Sequence, residues 1–204
     1  ASALSRQGHA GWAALIEHGL SRRPELGDTV ARLGELGSHD LSSAPEVVEV
    51  ARQTSTVALF DIGQDSTGDA AKALQAAGAK DVKITAESFL DPALEGFLEA
   101  SGVDTLWVEY HPALETFTPE AFLSRVRELS SRVACIPMSG DPDFLTLALK
   151  SEWHVPALAL KGSEAAGFVS PETGGVLYST LRALTVREGR KPGLILWGGV
   201  ATPE

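Results

Sequence analysis

From about residue 55 onward, short apolar runs alternate with amphipathic stretches. The runs are Val57–Gly63, Asp81–Ala86, Thr105–His111, Val133–Met138, Val155–Leu160 and Gly193–Trp197. Most are apolar over much of their length and flanked by Gly, Pro, Ser or Asp, which is how strands buried on both faces of a parallel sheet read. Between them the spacing turns helical and carries start and stop signals. Asp69–Ala77 runs into Gly78, a residue suited to ending a helix. Asp91-Pro92, Thr118-Pro119 and Asp141-Pro142 each set a capping side chain before a proline that the first helical turn accepts. The helix after Thr118 puts Leu123, Val126 and Leu129 on one stripe, and a last one over Gly175–Leu184 does the same with Leu177, Leu181 and Leu184. Strand, capped turn and helix recurring at roughly 25–35 residues predict consecutive βα units.

Residues 1–54 have a different pattern. Trp12–His18, Asp28–Leu36 and Pro45–Ala51 have helical spacing, broken at Gly19, Arg23-Pro24 and Gly37, and no strand is evident. The pattern predicts a helical N-terminal segment over 1–54 and a βα domain over 55–204. Six strands leave two architectures open. A doubly wound sheet usually has a Gly-rich first turn, and Gln64–Gly68 lacks one; a complete (β/α)₈ barrel needs two more strands.

Composition narrows the functional classes. Seventeen basic against 27 acidic residues give a net charge of −10, with no basic cluster longer than Ser21-Arg22-Arg23, so a nucleic-acid partner is not expected. No apolar run nears the roughly 20 residues of a membrane helix, and Ala1–Gly8 lacks the order of a signal peptide. The single cysteine, Cys135, excludes an internal disulfide and a thiolate-rich zinc site. His9, His18, His39 and His154 are scattered, so no metal is expected. These features predict a cytoplasmic, acidic chain. It opens without a methionine, which suggests a piece of something larger.

Two C-terminal stretches carry a resemblance. Leu158–Phe168, reading LALKGSEAAGF, and Leu194–Glu204, reading LILWGGVATPE, resemble the flavin-dependent barrels of the nitronate monooxygenase (2-nitropropane dioxygenase-like) family. That family includes a class of bacterial enoyl reductases. The wording is closest to the barrel domain of some type I polyketide and polyunsaturated-fatty-acid synthases. The resemblance implies a TIM-barrel-like α/β fold, FMN as cofactor, and a role in or beside a synthase, with an acyl carrier protein or other synthase domains as partners. It places cofactor contacts at Gly162, Ala165, Gly167, Gly198, Gly199, Val200 and Ala201 and matches Glu164 to the family's loop; position at a strand end makes Lys161, with Glu164, the catalytic candidate. Glycines in such loops have a physical reason: a phosphate held by main-chain N–H groups needs an approach that a Cβ obstructs.

The same resemblance counts Gly193–Trp197 as the seventh strand and Val57–Gly63 as the second. It implies an incomplete barrel of about strands two to seven, and association through the apolar edge Leu194–Leu196. The family's histidine is replaced by Phe168, whose ring neither takes nor gives a proton. A non-catalytic scaffold or docking domain of a megasynthase is therefore a second expectation.

Strand ends in a barrel build the active site. Here they supply Asp61, Glu87, Glu109, His111, Asp141, Lys161 and Glu164. Asp141 and Glu87 also suit helix starts, His111 before Pro112 suits exposure, and Cys135 suits a small buried apolar role. Glu109 shares a strand face with Trp107. Lys161 ends a wholly apolar strand, where desolvation favours a neutral amine. A Schiff-base lyase is accordingly a third expectation.

Overall fold

A computed structural model describes residues 33–36 (main chain only), 41, 44–53, 57–63, 67–110, 118–150, 155–163, 165, 170–187 and 192–197. Their elements are β1 (Leu33–Leu36), α1 (Ala44–Gln53), β2 (Val57–Gly63), α2 (Gly68–Ala77), β3 (Asp81–Thr85), α3 (Ala86–Leu90), α4 (Leu94–Ser101), β4 (Thr105–Glu109), α5 (Pro119–Leu129), β5 (Ala134–Ser139), α6 (Pro142–Lys150), β6 (Ala157–Lys161), α7 (Gly174–Arg187) and β7 (Gly193–Trp197). Strand and helix alternate, and the pairings are parallel. The architecture is α/β, TIM-barrel-like and incomplete. No described helix is long and apolar enough to cross a membrane.

The chain divides into two compact units, one reaching Val82 and adding Gly96–Val103, the other made of Lys83–Glu95 and everything from Asp104. In the first, β1 lies parallel to β2 with Leu33 opposite Val57 and Leu36 opposite Phe60. This corrects the helical reading of Asp28–Leu36: its last four residues form a strand, so the described residues hold seven strands rather than six. Gly34 weakens helix formation there, and the main-chain groups are satisfied by a neighbour more than 20 residues away. Helix α2 stops at Gly78 as predicted, but it begins at Gly68 behind a Thr67 cap rather than at Asp69. The Thr67 hydroxyl accepts from the Ala70 N–H, and Gly78 stops the helix at φ 70°.

In the second unit β4, β5, β6 and β7 pair in that order. Successive side chains alternate between faces. Leu106, Val108, Cys135, Leu158 and Leu160 occupy one face and are buried. Beside them Tyr110 stacks on Phe144 at 4.0 Å, and Phe122 meets Phe89, Tyr110 and Phe144 at 5.0–5.9 Å between ring centroids. Full burial of one such ring contributes about 1.5–3 kcal/mol. Helix α5 starts as its sequence requires, with the Thr118 hydroxyl accepting from Ala121 and Pro119 in the first turn. Asp141 caps α6, its carboxylate accepting from the Asp143 N–H. Helix α3 is not anticipated by the apolar pattern. Thr85 caps it, and Glu87 is an exposed residue of its first turn rather than a member of a strand rim.

The opposite face carries Lys83, Trp107, Glu109, Met138, Ala159, Lys161 and Trp197. Residues from the outermost strands of this unit meet there: the Trp107 and Trp197 rings lie 6.0 Å apart, and Lys83 Nζ lies 5.7 Å from the Trp197 ring. Strands of a flat sheet are about 4.8 Å apart, so β4 and β7 would stand roughly 14 Å from each other. The contact of their inward side chains shows that this face is concave, as in a barrel. Small residues make room for it. Gly193 lies opposite Ala157, and a Cβ on Gly193 would come within 3.2 Å of the Ala157 Cβ.

Candidate functional site

Glu109, Lys161 and Trp197 are the last residues of β4, β6 and β7. The strand register sets Lys161 beside Trp197, and Glu109 beside Met138 of β5. Lys161 Nζ donates to Glu109 Oε1 across β5. The other carboxylate oxygen, Oε2, lies 3.7 Å from Lys83 Nζ. One carboxylate thus engages two ammonium groups, one by a hydrogen bond and one by charge at a longer distance. The side chains differ in access: Lys161 is 2% exposed, Lys83 12% and Glu109 22%. Trp197 lies beside this cluster, its ring 5.7 Å from Lys83 Nζ and 6.0 Å from the Trp107 ring.

The main chain around Lys161 is anchored as well. Its carbonyl accepts from the Ser170 N–H, and Ser163 N–H donates to the Glu172 carbonyl. Ser170 Oγ in turn accepts from the Glu172 N–H at 3.1 Å. Both stems of the loop after β6 are therefore held to each other, and a further bond from Ala165 N–H to the Gly162 carbonyl tightens its first turn. Of the residues expected to meet a cofactor, Gly162 and Ala165 lie in that turn. Glu164, Gly167, Gly198, Gly199, Val200 and Ala201 lie outside the described residues, as do His111 and Phe168.

The other expected rim groups are engaged in local structure. Asp61 accepts from the Gly63 N–H at 3.0 Å, which fixes the turn out of β2. Asp141 caps α6. Cys135 is buried, and desolvation pushes its thiol up to about 12, so it is not a thiolate nucleophile near neutral pH. Tyr110 is raised by burial and then by the nearby Asp141 and Glu120 charges. Among the described residues no group of three or more His, Cys, Asp and Glu side chains could hold a metal ion.

Sequence reasoning singled out Lys161 and Glu109 but not Lys83 or Trp197. A signal for both existed. Lys83 follows Asp81 by two in β3, and Trp197 ends its strand as Lys161 does, so strand period and equal strand ends mark them.

The Glu109–Lys83–Trp197 grouping offers an acceptor at the end of β4 and a donor from the middle of β3 that lies over the Trp197 ring. That set fits a planar heterocycle with N–H and carbonyl groups on one edge, which is the make-up of a flavin ring. No protein-family model matches the chain, and no curated protein matches it. Among solved structures it is similar to a mutant of FabK from Thermotoga maritima, with 13% identity and a TM-score of 0.50. The likeness covers 87% of this chain, which spans only 63% of that structure's length. At such identity the likeness is one of fold, and it agrees with the TIM-barrel-like α/β architecture of the described elements.

Proposed function

We propose that this chain is a flavin-binding barrel domain of the nitronate monooxygenase and enoyl reductase kind, with FMN as its cofactor, and that it serves or belongs to a polyketide or fatty-acid synthase. The observation that carries this reading is the convergence of Glu109 and Trp197, at the ends of β4 and β7, with Lys83 from the middle of β3 in a barrel-type fold. The sequence supports it by setting Gly198-Gly199-Val200-Ala201 directly after the last residue of β7, where a glycine pair admits a phosphate to main-chain N–H groups. FMN would supply hydride chemistry, and this chain's residues would hold and orient it. An acyl carrier protein or a neighbouring synthase domain is the partner this reading calls for.

Phe168 favours a second reading, a barrel kept as a scaffold or docking domain, because it removes the proton-transferring side chain of the family's loop. The Schiff-base alternative is weakened by the engagement of Lys161: its amine is bound by Glu109 and closed off from solvent.

Visible absorption of the purified chain, before and after incubation with FMN, separates the two. Flavin bands retained through gel filtration support the first reading. A folded protein, checked by circular dichroism, that stays colourless overturns it and leaves the scaffold.

A further inference from the structure

The geometry points to Glu109 as the group of this site that meets the ligand, accepting from the ring N–H of a lactam- or imide-edged heterocycle, with Lys161 as its positioning residue. This rests on the flavin reading and deepens it. Lys161 was the more conspicuous candidate in the sequence, yet it is the least exposed of the three charged side chains at 2%, while Glu109 is the most exposed at 22%. Its hydrogen bond fixes one carboxylate oxygen, Oε1. The second oxygen accepts no hydrogen bond among the described residues, since its 3.7 Å separation from Lys83 Nζ is beyond hydrogen-bond range.

A carboxylate oxygen is an acceptor only, and an ammonium is a donor only. Glu109 Oε2 at the end of β4 and Lys83 Nζ from the middle of β3, 3.7 Å apart, match an adjacent N–H and C=O on one edge of a planar ring. Lys83 Nζ itself lies over the Trp197 ring, 5.7 Å from its centroid. Without Lys161, Glu109 would be free to swing away from the mouth, because its remaining contact is longer and less directional.

The test compares lumiflavin with 3-methyllumiflavin, which lacks the imide N–H. Binding to the whole chain is followed by flavin fluorescence, with FMN titrated in parallel. The expected result is that the wild-type chain binds lumiflavin about ten- to hundredfold more tightly than its methylated form, the loss of one hydrogen bond to a charged group. Glu109→Gln should shrink that preference severalfold, as should Lys161→Met, whereas Lys161→Arg should keep most of it. A merely structural role for Lys161 would weaken both ligands alike and leave their ratio unchanged. Equal affinity of the wild-type chain for the two ligands overturns the inference while FMN binding still upholds the flavin reading. A ratio unchanged in a folded Glu109→Gln also overturns it. Absence of FMN and lumiflavin binding overturns both. The wild-type comparison decides the acceptor edge even where a variant fails to fold.

Discussion

Lys161 at the end of β6 and Glu109 at the end of β4 are joined by a hydrogen bond that passes over the intervening strand β5. The residue of β5 in register with Glu109 is Met138, fully buried and without charge. Met138 is in turn in register with Ala159, two residues before Lys161, so the bond joins side chains of alternate strands that are offset by two residues. Layers drawn from alternate strands are how a barrel interior is filled.

Lys161→Met is expected to lower stability by about 2 kcal/mol. Removing one partner from a fully buried pair costs about 3–5 kcal/mol, and here the cost is reduced because Glu109 keeps Lys83 and some water. Urea denaturation measures it. The double variant Lys161→Met with Glu109→Met should recover part of the loss, since it leaves no unpaired charge between the two positions. A single variant as stable as the parent would show that the pair is energetically idle.

Cys135 should make stability fall in alkali. Its thiol ionises near 9.0 as a free group and near 12 in the fold, because burial disfavours the thiolate. Between those values the unfolded chain has lost a proton that the folded chain retains. The stabilisation is therefore complete below about pH 9 and is lost as pH rises towards 12, by about 1.4 kcal/mol per pH unit. Cys135→Val should flatten this part of the profile relative to the parent in chemical denaturation at pH 8–11. Identical slopes would contradict the assignment.

Gly193→Ala should destabilise the chain by about 1 kcal/mol, through overpacking against Ala157. Ala157→Gly in the same chain should relieve most of this, giving a coupling that thermal denaturation of the four-member cycle resolves. Strict additivity would mean that the two strands do not touch at that level.

The glycines at the two ends of α2, Gly68 within it and Gly78 just beyond it, should respond with opposite signs. Gly78 has φ 70°, so Gly78→Ala is expected to cost about 1 kcal/mol. Gly68 begins the helix with ordinary backbone angles and open space around it, so Gly68→Ala should stabilise by about 0.5 kcal/mol. Midpoints moving in the same direction would refute the contrast.

The six apolar runs were legible as strands because their apolar residues are local in the sequence: β5 and β6 are buried on both faces, whereas β3, reading DVKIT, alternates and buries only Val82 and Ile84. The caps at Thr118 and Asp141 were legible because a capping side chain acts within three residues of itself, whereas Thr67 was passed over for Asp69 as the start of α2. Lys161 and Glu109 stood out as ionisable groups at the ends of apolar strands. Their pairing did not, because it joins residues 52 positions apart and depends on the curvature of a sheet. Strand β1 escaped notice because Leu33–Leu36 has no strand pattern of its own and takes its hydrogen bonds from β2. Local propensity and capping act over a few residues and are written in the chain; strand pairing, sheet curvature and access to Glu109 arise between distant segments, and only the tertiary structure decided them.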